Sequence, residues 1–128
     1  MEITASSQDY LEAILALSAD GGPIRSVDIA KMMGVSRASV NKAMGVLKEA
    51  GLIVKEKYAA VMLTQRGEEA ARSVQRRHTV LKRFLHEVLG VAESVASRDA
   101  CRMEHVISAE TLEKLDAFLA EALDAEMP

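Results

Sequence analysis

The feature that most constrains the fold is a pair of short helical patterns separated by a tight turn within residues 26–50. We predict that Ser26 caps a helix over Val27–Met33 and that Ser36 caps a second helix. Gly34 lies at the position just after the first helix, where a glycine in the left-handed conformation is favoured. This glycine predicts a tight turn between the two helices. Two short helices joined in this way form a helix-turn-helix, whose second helix enters the major groove of DNA.

The second helix begins with polar and basic side chains that can donate hydrogen bonds to phosphates and base edges. Two short runs rich in β-branched residues, 52–54 and 61–63, flank a polar loop and predict a β-hairpin, the wing of a winged helix. Polar residues occur on any exposed helix, so the evidence is the combination of turn, cap and basic leading edge. The candidate DNA-binding residues are Arg25, Ser36, Arg37, Ser39, Asn41, Lys42, Lys55 and Lys57.

Charge is distributed unevenly along the 128-residue chain. Residues 24–83 carry 13 Lys and Arg against 5 Asp and Glu, whereas residues 1–23 carry 4 acids and no base, and residues 84–128 carry 10 acids and 3 bases. A basic middle between acidic ends indicates that the middle meets a polyanion. With two Tyr, two Phe and no Trp, the chain has little with which to stack single-stranded bases, so double-stranded DNA is the expected partner.

The N-terminal segment is predicted to form a helix with two acidic side chains on one side. Ser6 or Ser7 can cap this helix, which runs to about Ser18. Asp9 and Glu12 lie three residues apart in its first turns. Carboxylates there also interact favourably with the positive end of the helix dipole, so their presence alone does not predict a binding site.

The remaining segments are also predicted to be helical. Thr64 caps a helix that could run unbroken from Gln65 to Leu89, and Ser108 caps a last helix. The fold class is therefore mostly α with a small β-hairpin wing: a winged helix-turn-helix DNA-binding domain over residues 1–64 and a helical dimerisation domain over residues 65–128. The long helix carries an apolar stripe suited to packing across a dimer, which consists of Val80, Leu81, Phe84, Leu85 and Val88.

A helix predicted through Cys101–Ile107 would place Cys101, Glu104 and His105 at positions i, i+3 and i+4 of one face. A thiol, a carboxylate and an imidazole on one face form half of a metal site. In the alternative interpretation, Cys101 is a small buried hydrophobic residue and Glu104 a surface charge. The residues of this segment do not decide between the two interpretations.

The composition also bears on where the protein works. A single cysteine excludes an intramolecular disulfide and suits a reducing compartment. No apolar run approaches the length of a membrane span, and the N-terminus lacks the basic and apolar regions of a signal peptide. We therefore expect a cytoplasmic protein that does not associate with membranes.

Several motifs, in order along the chain, resemble the diphtheria toxin repressor and manganese transport regulator family, metal-dependent transcriptional repressors of bacteria and archaea. They are Asp9-Tyr10-Leu11-Glu12, the helix-turn-helix, Leu63-Thr64-x-x-Gly67, His78 and Cys101-x-x-Glu104-His105. The resemblance covers nearly the whole chain. It implies that metal is held by residues of the first helix, the long helix and the helix after it, namely Asp9, Glu12, His78, Cys101, Glu104 and His105.

The ligand pattern combines features of two branches of that family. Asp9 with Glu12 resembles the manganese-sensing branch, whereas Cys101 resembles the iron-sensing branch. The ancillary site of the iron branch is not expected, because Lys82 and Ser97 occupy two of its ligand positions. The resemblance implies Fe²⁺ or Mn²⁺, one or two ions per protomer, with Co²⁺, Ni²⁺ and Zn²⁺ as possible substitutes. The SH3-like C-terminal domain of longer members is not expected in this chain.

The function implied by the resemblance is a metal-activated repressor of metal-uptake genes that binds a palindromic operator as a homodimer. Neither catalysis nor an organic substrate is expected. Two alternatives remain open at this point: a winged-helix regulator that senses another effector without metal, and a metalloenzyme. The second is disfavoured because the chain has no recognisable pair of nucleophile and base. His86 falls outside the implied ligand set and is expected at the surface or at an interface.

Overall fold

The computed structural model describes residues 4–55 and 60–124. The chain divides into two compact units, Met1–Ser73 and Val74–Pro128, while the predicted domain boundary between residues 64 and 65 stays a prediction. The prediction of a mostly α-helical fold with a β-hairpin is confirmed. In the described ranges the elements are α1 (Ala5–Ser18), α2 (Ser26–Met33), α3 (Arg37–Glu49), β1 (Ile53–Lys55), β2 (Val61–Leu63), α4 (Gln65–Arg83), α5 (Glu93–Met103) and α6 (Ala109–Asp124).

The N-terminal unit is a winged helix-turn-helix. Gly34 adopts the left-handed conformation with φ of +67° and donates its N–H to the Ala30 carbonyl at 2.9 Å, as the turn prediction requires. The strands β1 and β2 pair antiparallel with Val54 opposite Met62, and Ile24 adds an isolated bridge to the same sheet. One core joins all of these elements, and its fully buried side chains include Leu11, Ile14, Ile29, Val40, Met44, Leu47, Ile53 and Val61.

Two predicted helix starts in this unit are wrong by one or more residues. Thr4, rather than Ser6 or Ser7, caps α1, because its side chain accepts the Ser7 N–H at 3.1 Å. The cap of α2 is Arg25 and not Ser26. The buried Ser26 hydroxyl donates to the Asn41 side chain of α3 at 3.2 Å instead of capping its own helix. A hydroxyl that bonds to another helix is not available for the local role that its sequence position predicts.

The start of α4 is fixed by the predicted cap and by a very close backbone approach. The Thr64 hydroxyl accepts the Gly67 N–H at 3.1 Å and donates to the Gly51 carbonyl at 2.7 Å, which confirms Thr64 as the cap. A Cβ atom at Gly67 would lie 1.8 Å from the carbonyl oxygen of Leu52. The first turn of α4 can therefore lie on the backbone before β1 only with glycine at position 67.

In the C-terminal unit, the prediction of an unbroken helix from Gln65 to Leu89 is wrong. The α-helical hydrogen bonding of α4 ends at Arg83, and a π-helical turn over Phe84–Val88 follows, in which the Leu89 N–H donates to the Phe84 carbonyl at 3.1 Å. A π-turn adds one residue to the turn and so rotates the side chains that follow it. The continuous periodicity of the sequence does not reveal such an inserted residue.

The apolar stripe of the long helix is largely used inside the chain. Val80, Phe84 and Val88 pack in one cluster with Leu112 and Leu119 of α6. The predicted cap of α6 is confirmed, since the Ser108 hydroxyl accepts the Thr111 N–H at 3.1 Å. None of the helices in the described ranges combines the length and the hydrophobicity that crossing a membrane requires.

Candidate metal centre and DNA-binding surface

The segment that follows α5 is a turn and not the predicted helix through Ile107. The helix α5 ends at Met103, whose carbonyl accepts the N–H groups of both Val106 and Ile107 at 3.1 Å. Ser108 is the cap of α6, and a cap residue needs extended backbone. The chain therefore leaves the helical conformation before Ser108, and Glu104 and His105 lie in the turn between α5 and α6.

Cys101 and Glu104 differ in burial. Cys101 is exposed on α5, whereas the side chain of Glu104 is completely buried. The alternative interpretation of the sequence is therefore contradicted, because Cys101 is not a buried hydrophobic residue and Glu104 is not a surface charge. The unexpected feature of this segment is a buried carboxylate.

This carboxylate lies between two imidazoles of the C-terminal unit. The Oε2 atom of Glu104 is 3.5 Å from Nδ1 of His78, which α4 supplies. Its Oε1 atom is 3.6 Å from Nε2 of His105, the next residue in the turn. The His78 and His105 side chains retain 24% and 11% of their exposure, so solvent reaches the group only at its edge. Burying a carboxylate costs free energy unless positive charge compensates it.

The donor atoms of these three side chains are of the types that bind divalent cations. The Nδ1 atom of His78 is buried and has no hydrogen-bond partner among the described residues, which is the condition of an imidazole nitrogen held ready to coordinate. Imidazole nitrogen and carboxylate oxygen together suit Mn²⁺, Fe²⁺, Co²⁺, Ni²⁺ and Zn²⁺. A cation bound by these side chains would place positive charge beside the buried carboxylate.

The other residues considered for the metal site lie in different surroundings. Asp9 and Glu12 are half-buried on α1 in the N-terminal unit. Lys82, at a position where the ancillary site would need a carboxylate, forms an ion pair with Glu93 at 3.3 Å. His86 is exposed, as predicted, and its Nδ1 atom lies 2.7 Å from the Val91 carbonyl oxygen.

The predicted DNA-binding residues that lie in the described ranges are exposed on the helix-turn-helix and at β1. Ser36 is the cap of α3 and accepts the Ser39 N–H at 3.1 Å, so part of its hydrogen-bonding capacity is used locally. Lys57 lies outside the described residues. The exposed members of the predicted set are Arg25, Ser36, Arg37, Ser39, Asn41, Lys42 and Lys55.

Two contacts relevant to these sites have no signal in the sequence. The Asn41 Oδ1 atom accepts the Ser26 hydroxyl, which leaves the amide N–H groups of Asn41 as its donors toward DNA. In the other unit, the guanidinium of Arg77 donates to the backbone carbonyl of Glu104 at 3.2 Å. The partners are 15 and 27 residues apart, and neither pair follows a helix or strand period.

Two family models match the chain almost from end to end. Residues 2–61 match the iron dependent repressor, N-terminal DNA binding domain. Residues 64–123 match the iron dependent repressor, metal binding and dimerisation domain, the part that contains His78, Glu104 and His105. The chain belongs to the diphtheria toxin repressor family. It is therefore a DNA-binding transcriptional regulator, and the resemblance of its motifs to this family is confirmed.

Individual members of the diphtheria toxin repressor family agree with this assignment. The transcriptional regulator MntR of Salmonella typhimurium is 43% identical over 112 residues, which are 88% of this chain and 69% of MntR. An HTH-type transcriptional regulator of Methanocaldococcus jannaschii is 34% identical over 123 residues, 95% of this chain and 98% of that protein.

Solved structures of the diphtheria toxin repressor family show the same fold. The manganese regulator SloR superimposes with a TM-score of 0.80 at 32% identity, over 93% of this chain and 54% of SloR. ScaR with bound Zn²⁺ gives a TM-score of 0.78 at 30% identity, over 88% of this chain and 53% of ScaR. The chain thus spans about half the length of these two solved proteins.

Proposed function

We propose that this protein is a metal-activated repressor that binds a palindromic operator as a homodimer and controls metal-uptake genes. The observation that carries the proposal is the buried Glu104 carboxylate between His78 and His105. This group lies in a chain whose other half is a DNA-binding domain of the same family. Fe²⁺ or Mn²⁺ is the proposed physiological metal, and the regulator would work where the chromosome lies, in the cytoplasm.

The proposed metal ligands extend beyond the three clustered residues. The family resemblance adds Asp9 and Glu12 of α1 and Cys101 of α5. The first two belong to the unit that carries the recognition helix α3, and the others belong to the second unit. Metal binding by the whole set would favour one conformation of the chain. If that conformation is the one in which two recognition helices match the groove repeat, metal and operator affinity rise together.

The ligand set is tested by an anaerobic Co²⁺ titration of the reduced apo-protein, in which equivalents are counted and a near-ultraviolet thiolate-to-cobalt band is monitored. We expect saturable binding with that band, and we expect the band to be lost in Cys101→Ser. An Asp9→Ala variant should keep its fold and its dimer but lose metal-stimulated operator binding. Binding by the unaltered chain without the band would remove Cys101 from the ligand set, and unchanged operator binding in Asp9→Ala would remove Asp9.

The DNA-binding surface is tested with two exposed residues of α3. Arg37→Ala and Lys42→Ala should each weaken operator binding and reduce the salt dependence of log K by about 1, because each removes one phosphate contact. Lys114→Ala on α6 removes the same charge from the dimerisation domain and serves as the control. Binding isotherms from about 50 to 200 mM salt give these slopes. An equal change in all three variants would indicate a general charge effect and not contacts made by α3.

A further inference from the structure

We infer that Arg77 is a positioning residue for the metal centre, which holds the turn bearing Glu104 and His105 in place against α4. The inference rests on the proposed function, because it assigns a role toward a bound cation. The contact that carries it is the hydrogen bond from Arg77 Nη1 to the backbone carbonyl oxygen of Glu104, 3.2 Å long and partly buried.

The hydrogen bond completes the backbone bonding of the turn. The last carbonyls of a helix have no partner within that helix and must find one elsewhere. The Met103 carbonyl accepts two N–H groups from the turn, while the Glu104 N–H donates to the Ala100 carbonyl at 2.9 Å. The Glu104 carbonyl accepts from Arg77. The peptide groups on both sides of the Glu104 side chain are therefore held by hydrogen bonds.

The same stretch of α4 contacts this turn twice. Arg77 binds the backbone of Glu104, and the adjacent residue, His78, lies 3.5 Å from its carboxylate. These two contacts come from neighbouring residues of one helix. The hydrogen bond from Arg77 therefore controls how close the turn, and with it the Glu104 carboxylate, lies to the His78 imidazole. Loss of the guanidinium would leave a partly buried carbonyl without its side-chain donor and would allow the turn to reorient.

If Arg77 positions the metal ligands, its removal should change the metal affinity in the opposite direction from that expected if Arg77 acts only through its charge. Arg77 is a cation near a cation site, so its charge alone opposes metal binding, and its removal should then strengthen the metal affinity. If Arg77 acts by orienting the ligands, its removal should weaken that affinity, by about 10- to 100-fold as for other partners that orient metal ligands. The direction of the change distinguishes the two roles.

The neighbouring residue offers a matched control. Arg76 also lies on α4, and its guanidinium binds Asp116 of α6 at 2.6 Å, in a pair that is about half exposed. Arg76→Met removes the same charge and the same kind of side chain one residue away, and it leaves the Glu104 carbonyl bonded. A general effect of weakening α4 would appear in both variants.

The experiment compares Arg77→Met, Arg77→Lys and Arg76→Met with the unaltered full chain. Mn²⁺ and Co²⁺ affinities are measured by calorimetry without DNA, and thermal unfolding of each apo-protein is recorded alongside. We expect Arg77→Met to lose about 10- to 100-fold in affinity for both ions. Arg77→Lys should recover part of that loss, because an ammonium group can donate to the same carbonyl. Arg76→Met should retain the original affinity.

Three results would count against the inference. Unchanged or tighter metal binding by Arg77→Met would overturn it, and so would an equal loss in Arg76→Met. A fall in affinity that merely follows the loss of apo-protein stability across the variants would assign Arg77 to folding instead. If the unaltered chain binds neither ion, the proposed function is wrong and the inference falls with it, whereas failure confined to the Arg77 variants leaves the proposed function intact.

Discussion

Glu104→Gln is expected to abolish tight metal binding while the apo-protein stays folded and at least as stable as before. The Glu104 side chain is completely buried, and each of its oxygens faces an imidazole nitrogen. Glutamine has the same shape but no charge, so the substitution removes the cost of burying a carboxylate without opening a cavity. It also removes the anionic ligand. Loss of a residue that only orients a metal ligand lowers metal affinity by up to about 100-fold. Because Glu104 is proposed to bind the metal directly, we expect its loss to cost about 100-fold or more.

The measurement pairs a Mn²⁺ or Co²⁺ titration with thermal unfolding of the apo-protein. Glu93→Gln is the control, because Glu93 is exposed and its pair with Lys82 lies at the surface, where such pairs contribute about 0–1 kcal/mol. In Glu104→Gln we therefore expect the metal affinity to fall while the thermal stability of the apo-protein stays the same or increases. A large fall in stability with metal affinity retained would mean that the buried carboxylate is structural, and the proposed metal centre would be wrong.

The sequence predicts the DNA-binding half well, because its signals are local. A left-handed glycine at position 34 and the caps at Ser36 and Thr64 act within a few residues, and each of them is confirmed. The cap prediction fails at Ser26, whose hydroxyl bonds across to Asn41. Local rules lose their force where a polar side chain finds its partner in another element.

The metal centre is less predictable, for a related reason. Helical spacing singled out Glu104 and His105, but the predicted extent of the helix was wrong, since α5 ends at Met103 and both residues lie in the turn that follows. Neither the complete burial of Glu104 nor the support from Arg77 follows from spacing, because burial depends on how α4, α5 and the turn pack together. The residue types of a site can thus be read from a sequence before its geometry can.

Gly67→Ala is expected to destabilise the N-terminal unit more than any other single-methyl change in a described helix of that unit. The new Cβ would lie 1.8 Å from the Leu52 carbonyl oxygen, far inside van der Waals contact, and the neighbour is backbone and cannot swing aside. The first turn of α4 would have to move away from the backbone before β1. A cost of about 3 kcal/mol, the upper part of the usual range for overpacking, is expected.

Gly45→Ala adds the same methyl group but is expected to stabilise the protein. Gly45 lies in the middle of α3, and a Cβ added there meets no atom within 4 Å, so alanine should raise the free energy of unfolding by about 0.5–1 kcal/mol. Urea unfolding of the apo-protein, followed by tyrosine fluorescence, measures both, since both tyrosines of the chain precede Ser73. Equal effects of the two substitutions would mean that α4 does not rest on the Leu52 carbonyl. A fall in the free energy of unfolding confined to Gly67→Ala would show that the glycine of the Leu63-Thr64-x-x-Gly67 motif is required for the close approach of α4 to the Leu52 backbone.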